Sequence, residues 1–240
     1  MPGVQRAVVF VSAAAATLVA WLWLLCMPLS MPAPLHHLHS ALLMPGGPHP
    51  LTLLSFLATV AMWQVMMVAM MTPAVLPWLL AVRGRARLPA FAAGYFVVWL
   101  VYSIAGAALQ TALQHAGLLE VHGNVPARLA GVVLIAAALF SVTPLRRACL
   151  KHCRNPLTYF LKEWPNRPRG GFAIGLDHGA HCVGCCWALM LTGLAMGVMN
   201  LTWMALLTLL ISLEQLVPHG DRIGQVAALA MAVWGVVLIL

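Results

Sequence analysis

The residues with the clearest chemistry in this sequence are Asp177, His178, His181, Cys182, Cys185 and Cys186, six ligand-type side chains within ten positions. In a helix, His178, Cys182 and Cys185 or Cys186 fall at i, i+4 and i+7 or i+8, so their side chains share one face. Thiolate and imidazole suit soft and borderline metals, and a face carrying both could converge on one ion. The glycine-rich approach to Cys182 reads as a helix opening at that cysteine, where the helix N-terminus would favour the ligating thiolate. A lone cysteine in an apolar helix is ordinarily a small packed hydrophobe. Three of them beside two histidines and an aspartate point instead to a metal site.

A second group, Cys149, His152 and Cys153, reads CLKHC and repeats the i, i+3, i+4 spacing. The two groups together offer five cysteines and three histidines, more than a four-coordinate ion takes. Two sites, or a hand-over between them, are expected rather than one closed structural site. Lys151 and Arg154 in the same stretch suit lipid head groups.

Methionine supplies the third donor type. Met62, Met66 and Met70 fall on one helical stripe, with Met67 and Met71 on the adjacent one. Thioethers bind Cu(I) well and hard ions poorly, although such a stripe is more often flexible core packing. Gln64 within the stripe should face protein or a cavity. Between Met31 and His49 runs an uncharged stretch with His36, His37, His39 and Met44, a composition suited to metal capture. His115, Glu120 and His122 lie further on and read as solvated. Glu214, followed by Gln215, is an ionisable group in an apolar segment and therefore a functional candidate, with Arg222 as an available counter-charge. Asn200 reads as a helix cap, and Gly193 with Gly197 as a small-residue packing face.

The elements that must carry these residues are set by composition. Of 240 residues, 62% are hydrophobic and only 8% charged, against about 25% charged in soluble domains. One integral membrane domain over residues 1–240 is expected, an all-α bundle. A span takes about 20 apolar residues. Apolar segments run at Val8–Met27, Leu51–Leu80 (closed by Pro73 and Pro77), Pro89–Leu113 and Arg128–Val142. A longer run, Cys182–Leu216, divides at residues 197–200, and Ile223–Leu240 follows. That makes about seven transmembrane helices, or six in a shorter version. Twelve of the thirteen Lys and Arg residues then fall on one side, with Arg128 alone on the other. The positive-inside rule therefore puts the N-terminus in the cytoplasm, and a multi-pass membrane protein is expected. The net charge of +8 is accounted for by these loops, so nucleic acid is not an expected partner. Trp21, Trp23, Trp78 and Trp99 supply part of an aromatic belt. Cysteines on the cytoplasmic side are not expected to form disulfides.

Three stretches carry a family resemblance: MWQVMMVAMMTP from Met62, TPLRRACLKHCRNP from Thr143, and HGAHCVGCCWALM from His178, running on into GVMNLTWMALL and Glu214. The chain resembles the bacterial family of predicted metal-binding integral membrane proteins, a domain of unknown function labelled in places as a copper chaperone. The resemblance implies a multi-helix membrane protein with a metal site at Cys182, Cys185 and Cys186. Gln215 stands where that family often has lysine.

Soft donors at three depths favour a carrier of Cu(I), with zinc as the second ion, over an enzyme. The candidate ligands are His178, His181, Cys182, Cys185, Cys186, Cys149, His152, Cys153, Met62, Met66, Met70 and Glu214. The expected partners are the lipid bilayer, the ion, and a soluble metallochaperone or a metalloenzyme subunit. A phosphate-binding GxxxxGK[ST] loop is not among the motifs, so no ATP-driven engine is expected. The rival readings are a membrane oxidoreductase, or a subunit of one, that uses the thiols or a bound metal, and a structural zinc site.

Overall fold

The computed structural model describes residues 3–26, 52–82, 87–119, 125–163, 170–197 and 200–240, and among these the chain is helical without strands. The histidine and methionine stretch at 31–49, Glu120, His122, and the basic residues Arg83, Arg85, Arg167 and Arg169 lie outside the described residues. The helices are α1 (Gly3–Cys26), α2 (Leu53–Ala81), α3 (Arg87–His115), α4 (Ala127–Ser141), α5 (Pro144–Arg154), α6 (Gly171–Met196), α7 (Leu201–Leu216) and α8 (Gly220–Ile239), with a short π-helical turn at Tyr159–Glu163. All seven apolar segments expected from the sequence are helical. Five helices, α1, α2, α3, α6 and α8, are long and apolar enough to cross a membrane. The bent pair of α4 and α5 gives a sixth if counted as one broken span, and α7 is a shorter apolar helix.

Helix α6 is the hub, packed on α3, α4, α5 and α7, while α4 pairs with α8 and α2 lies between α1, α3 and α7. Sequence reasoning opened this helix at Cys182, but it begins eleven residues earlier at Gly171. The glycines that looked like a helix start are contact residues inside it. Gly171, Gly175 and Gly179 recur every four residues and face α3. A Cβ on Gly171 would lie 2.5 Å from the carbonyl oxygen of Arg87, one on Gly175 would strike the carbonyl of Phe91, and one on Gly179 would press on Val98. Gly94 answers from α3, where a Cβ would strike the carbonyl of Phe172. Small residues at such spacing let two helices approach backbone to backbone, which is how apolar helices associate when water supplies no drive. Among the described residues, no helix packs on Gly193 as the expected small-residue face requires. A Cβ on Gly193 would meet nothing within 4 Å, and Gly197 ends α6 at φ +102°, a backbone that suits glycine.

This crossing gives a direct test. Gly175→Val is expected to lower the thermal midpoint in detergent by about 5–10 °C, because the new side chain meets backbone that has no rotamer to move. Gly193→Ala is expected to shift it by less than about 2 °C. Equal shifts would place the close approach elsewhere.

Two further expectations change. Pro73 and Pro77 do not close α2, which runs through both to Ala81. Its face from Val60 to Trp78 is buried, and proline is tolerated where neighbouring helices enclose the freed backbone groups. The chain does break at Thr143-Pro144, where α4 and α5 meet at 67°. Pro144 cannot continue α4 hydrogen bonding, and the Thr143 hydroxyl accepts the Arg146 N–H at 3.3 Å as the cap of α5. At the other end of α6, Asn200 caps α7 as expected, its side-chain oxygen accepting the Trp203 N–H at 3.0 Å.

Candidate metal centre

The extended α6 moves the cysteines from a helix opening to mid-helix. Cys182 stands eleven residues past Gly171, about 17 Å along the axis at 1.5 Å per residue. The helix-terminus argument for a thiolate therefore does not apply, since that effect fades within the first turn. What the position provides is enclosure: Cys182, Cys185 and Cys186 are each 1% exposed and Cys153 3%.

Cys153 reaches this group from α5, which runs alongside α6. The sulfur atoms of Cys153, Cys182 and Cys185 all lie within 4.8 Å of one another. The Cys153 and Cys185 Sγ atoms are 4.0 Å apart, and Cys186 Sγ is 3.3 Å from Cys185 Sγ. Two sulfurs bound at about 2.3 Å to one tetrahedral or trigonal ion stand roughly 3.8–4.0 Å apart. The Cys153–Cys185 spacing matches that of two sulfurs on one ion, so the group could hold a metal between the two helices. The Tyr95 hydroxyl lies 3.2 Å from Cys182 Sγ, and Gln215 Nε2 lies 3.9 Å from Cys186 Sγ.

Cys149, one turn earlier on α5, is not among these sulfurs. It packs on Gly184, where a Cβ would stand 3.0 Å from its Sγ, so Gly184 lets α5 settle against α6. The sequence grouped His152 with the cysteines of its own segment, but its ligand nitrogen lies within 4.8 Å of ligand atoms of Asp177 and His181 instead. The His152 and His181 rings stack at 3.9 Å and 16°. His178 is fully buried, with its ring 4.1 Å from that of Trp78 and 5.4 Å from that of Tyr95. Neither ring nitrogen of His178 has a hydrogen-bond partner among the described residues. A buried polar group without a partner is costly, and a ligand role would relieve it.

Trp78 has a role that sequence reasoning, which placed it only near a helix end or mid-span, missed. It is fully buried, donates its indole N–H to the Cys153 carbonyl at 2.7 Å, and stacks on His152 at 5.2 Å as well as on His178. It thus ties α2 to the backbone of a candidate ligand. Trp99 is also fully buried rather than in a belt. The only available signal was that Trp78 shares a heptad face with Met67 and Met71, both buried.

Met62, Met66 and Met70 are buried in the same core cluster that holds the four cysteines, which is what either a thioether path or plain packing would require. Gln64 faces protein as expected. It donates to the Phe96 carbonyl at 3.3 Å and accepts from the Ser103 hydroxyl at 3.0 Å, joining α2 to α3.

Glu214 is engaged by a cation rather than by the thiols. Its Oε2 accepts from Arg146 Nη2 at 2.6 Å, with both side chains nearly inaccessible. The partner suggested by the sequence was Arg222, and Arg146 was counted among loop cations that set orientation. Arg146 is instead 3% exposed, and it also donates from Nε to the Cys185 carbonyl at 3.0 Å. Gly224 of α8 makes room for the carboxylate, since a Cβ there would strike Glu214 Oε1. The ion pair therefore fixes the backbone of α6 at Cys185 from α5 and α7.

A family model described as "PpoB2: Copper chaperone" matches residues 60–238. That interval contains both donor groups, the Arg146–Glu214 pair and all helices but α1 and the first turns of α2. No curated protein matches the chain, and no solved structure does.

Proposed function

The chain belongs to the PpoB2 copper chaperone family, and from that premise we propose that it holds Cu(I) on Cys153, Cys182 and Cys185 within a bacterial inner membrane and delivers it to a metalloenzyme or a second carrier. The observation that carries this reading is the convergence of three buried sulfurs from two helices, two of them at metal-bridging separation. Sulfur-only donors suit Cu(I) and zinc and disfavour magnesium, calcium and manganese, and the copper chaperone family favours Cu(I) of the two. Enclosure in an apolar core keeps water from competing for the ion. Glu214 then acts in holding α5, α6 and α7 together, and the methionines of α2 extend the soft lining of the core. The thiol-based form of the oxidoreductase alternative requires a sulfur that a substrate can reach, and burial of all four clustered cysteines speaks against that form.

The test is loading of the purified protein with Cu(I) under reducing conditions in competition with a coloured Cu(I) chelator, followed by X-ray absorption. The expected result is one copper per chain held against the chelator, with a metal–sulfur distance of about 2.3 Å. A nitrogen- and oxygen-only environment, or tightly held zinc that copper fails to displace, would overturn the reading.

A further inference from the structure

We propose that His152, Asp177 and His181 form a second copper site, open to the aqueous side, which receives the ion and passes it by way of His178 to the buried sulfurs. The inference rests on the reading of the sulfur group as a copper site and adds the route into it. The three side chains offer ligand atoms within 4.8 Å of one another and are each half-buried, in contrast to the enclosed cysteines. Their donor set, two imidazoles and a carboxylate, is harder than three thiolates and holds Cu(I) less tightly. A receiving site must release what it takes, so the weaker set belongs on the outside.

Three further observations support a built site. His181 Nδ1 lies 2.8 Å from the Asp177 carbonyl oxygen. With the ring N–H donated there, the tautomer is fixed and Nε2 is left as the ligand, the usual arrangement around metal-bound histidine. A cleft of about 340 Å³ lined by Lys151, His152, Asn155, Thr158 and Tyr159 opens at His152. From His152 the next imidazole inward is that of His178, whose ring centre is 6.3 Å away and whose plane is inclined by 29°. His178 precedes Cys182 by one helical turn, and both of its ring nitrogens lack partners among the described residues. Trp78 stacks on both His152 and His178. The imidazoles thus lie in series from the cleft toward Cys182, with Trp78 flanking His152 and His178 and Tyr95 flanking His178 and Cys182.

Two measurements test this, and they fail separately from the sulfur reading. First, stopped-flow loading with a Cu(I)–chelator complex is expected to slow at least about tenfold in His152→Ala/His181→Ala and in His178→Phe, while the final copper content and metal–sulfur distance match the parent. Unchanged loading rates would overturn the route even with the sulfur site intact. Second, a Cys153→Ser/Cys182→Ser/Cys185→Ser protein given Cu(II) alone is expected to bind it with nitrogen hyperfine structure in its electron paramagnetic resonance spectrum. That signal should disappear when His152→Ala and His181→Ala are added. This arm does not depend on whether the sulfurs bind copper, and a signal that survives the histidine changes would remove the second site.

Discussion

Cys185→Ser is expected to weaken Cu(I) binding at least about 100-fold, a loss of about 2.7 kcal/mol or more, measured by competition with a coloured chelator. Cys185 is the central sulfur: its Sγ is 4.0 Å from that of Cys153 and 3.3 Å from that of Cys186, and it belongs to the three-sulfur group with Cys182. Serine keeps the volume and the ability to donate to the Cys182 carbonyl, a contact that Cys185 Sγ makes at 3.2 Å. What it removes is the soft donor alone. Changes that only reorient a metal ligand already cost 10–100-fold, so loss of a ligand should lie at or beyond the upper end. Cys26→Ser, at the exposed end of α1, is the matched control and is expected to bind within about twofold of the parent. Equal affinity of the two variants would remove Cys185 from the site.

Arg146→Met is expected to produce the largest loss of stability of any single change outside the cysteines, about 3–5 kcal/mol. Two charges buried together have already given up hydration, and deleting the cation leaves the Glu214 carboxylate without either water or partner. The same change removes the donor to the Cys185 carbonyl, so copper affinity should fall as well. Adding Glu214→Gln to Arg146→Met is expected to restore more than half of the lost thermal midpoint in detergent, since the orphaned charge is then gone. The copper deficit should persist, because the bond to Cys185 is still missing. A single variant as stable as the parent would show that Glu214 is compensated by another group.

The fold was legible wherever a long apolar run carried the signal. α1, α3 and α8 follow directly from hydropathy, and Asn200 marks the helix start that its side chain caps. The donor types were legible too, because Cys and His in an apolar chain are conspicuous. Their grouping was not. His152 and Cys153 are neighbours in sequence but face different clusters, and only the packing of α5 along α6 decides which sulfur joins which imidazole. Glycine misled for a physical reason: a Gly-rich stretch in water breaks a helix, whereas Gly171, Gly175 and Gly179 in an apolar bundle bring two helices together. Arg146 was hidden by its context, since one buried guanidinium among seven basic residues between positions 146 and 169 looks like any loop cation until its carboxylate, 68 positions away, is in place.

The bend at Thr143-Pro144 divides the three-sulfur group between two mechanical bodies. Cys182 and Cys185 ride on one 26-residue rod, whereas Cys153 rides near the tip of an 11-residue lever. The lever's free end is pinned by Arg154, which bonds Asp221 at 2.5 Å and the Val217 and Pro218 carbonyls at 2.8 and 2.6 Å. Its length is about 16 Å, so a swing of about 4° moves the tip by about 1 Å. The placing of Cys153 beside Cys182 and Cys185 therefore depends on the bonds of Arg154 to the α7–α8 connection, one residue along the chain from the sulfur it positions.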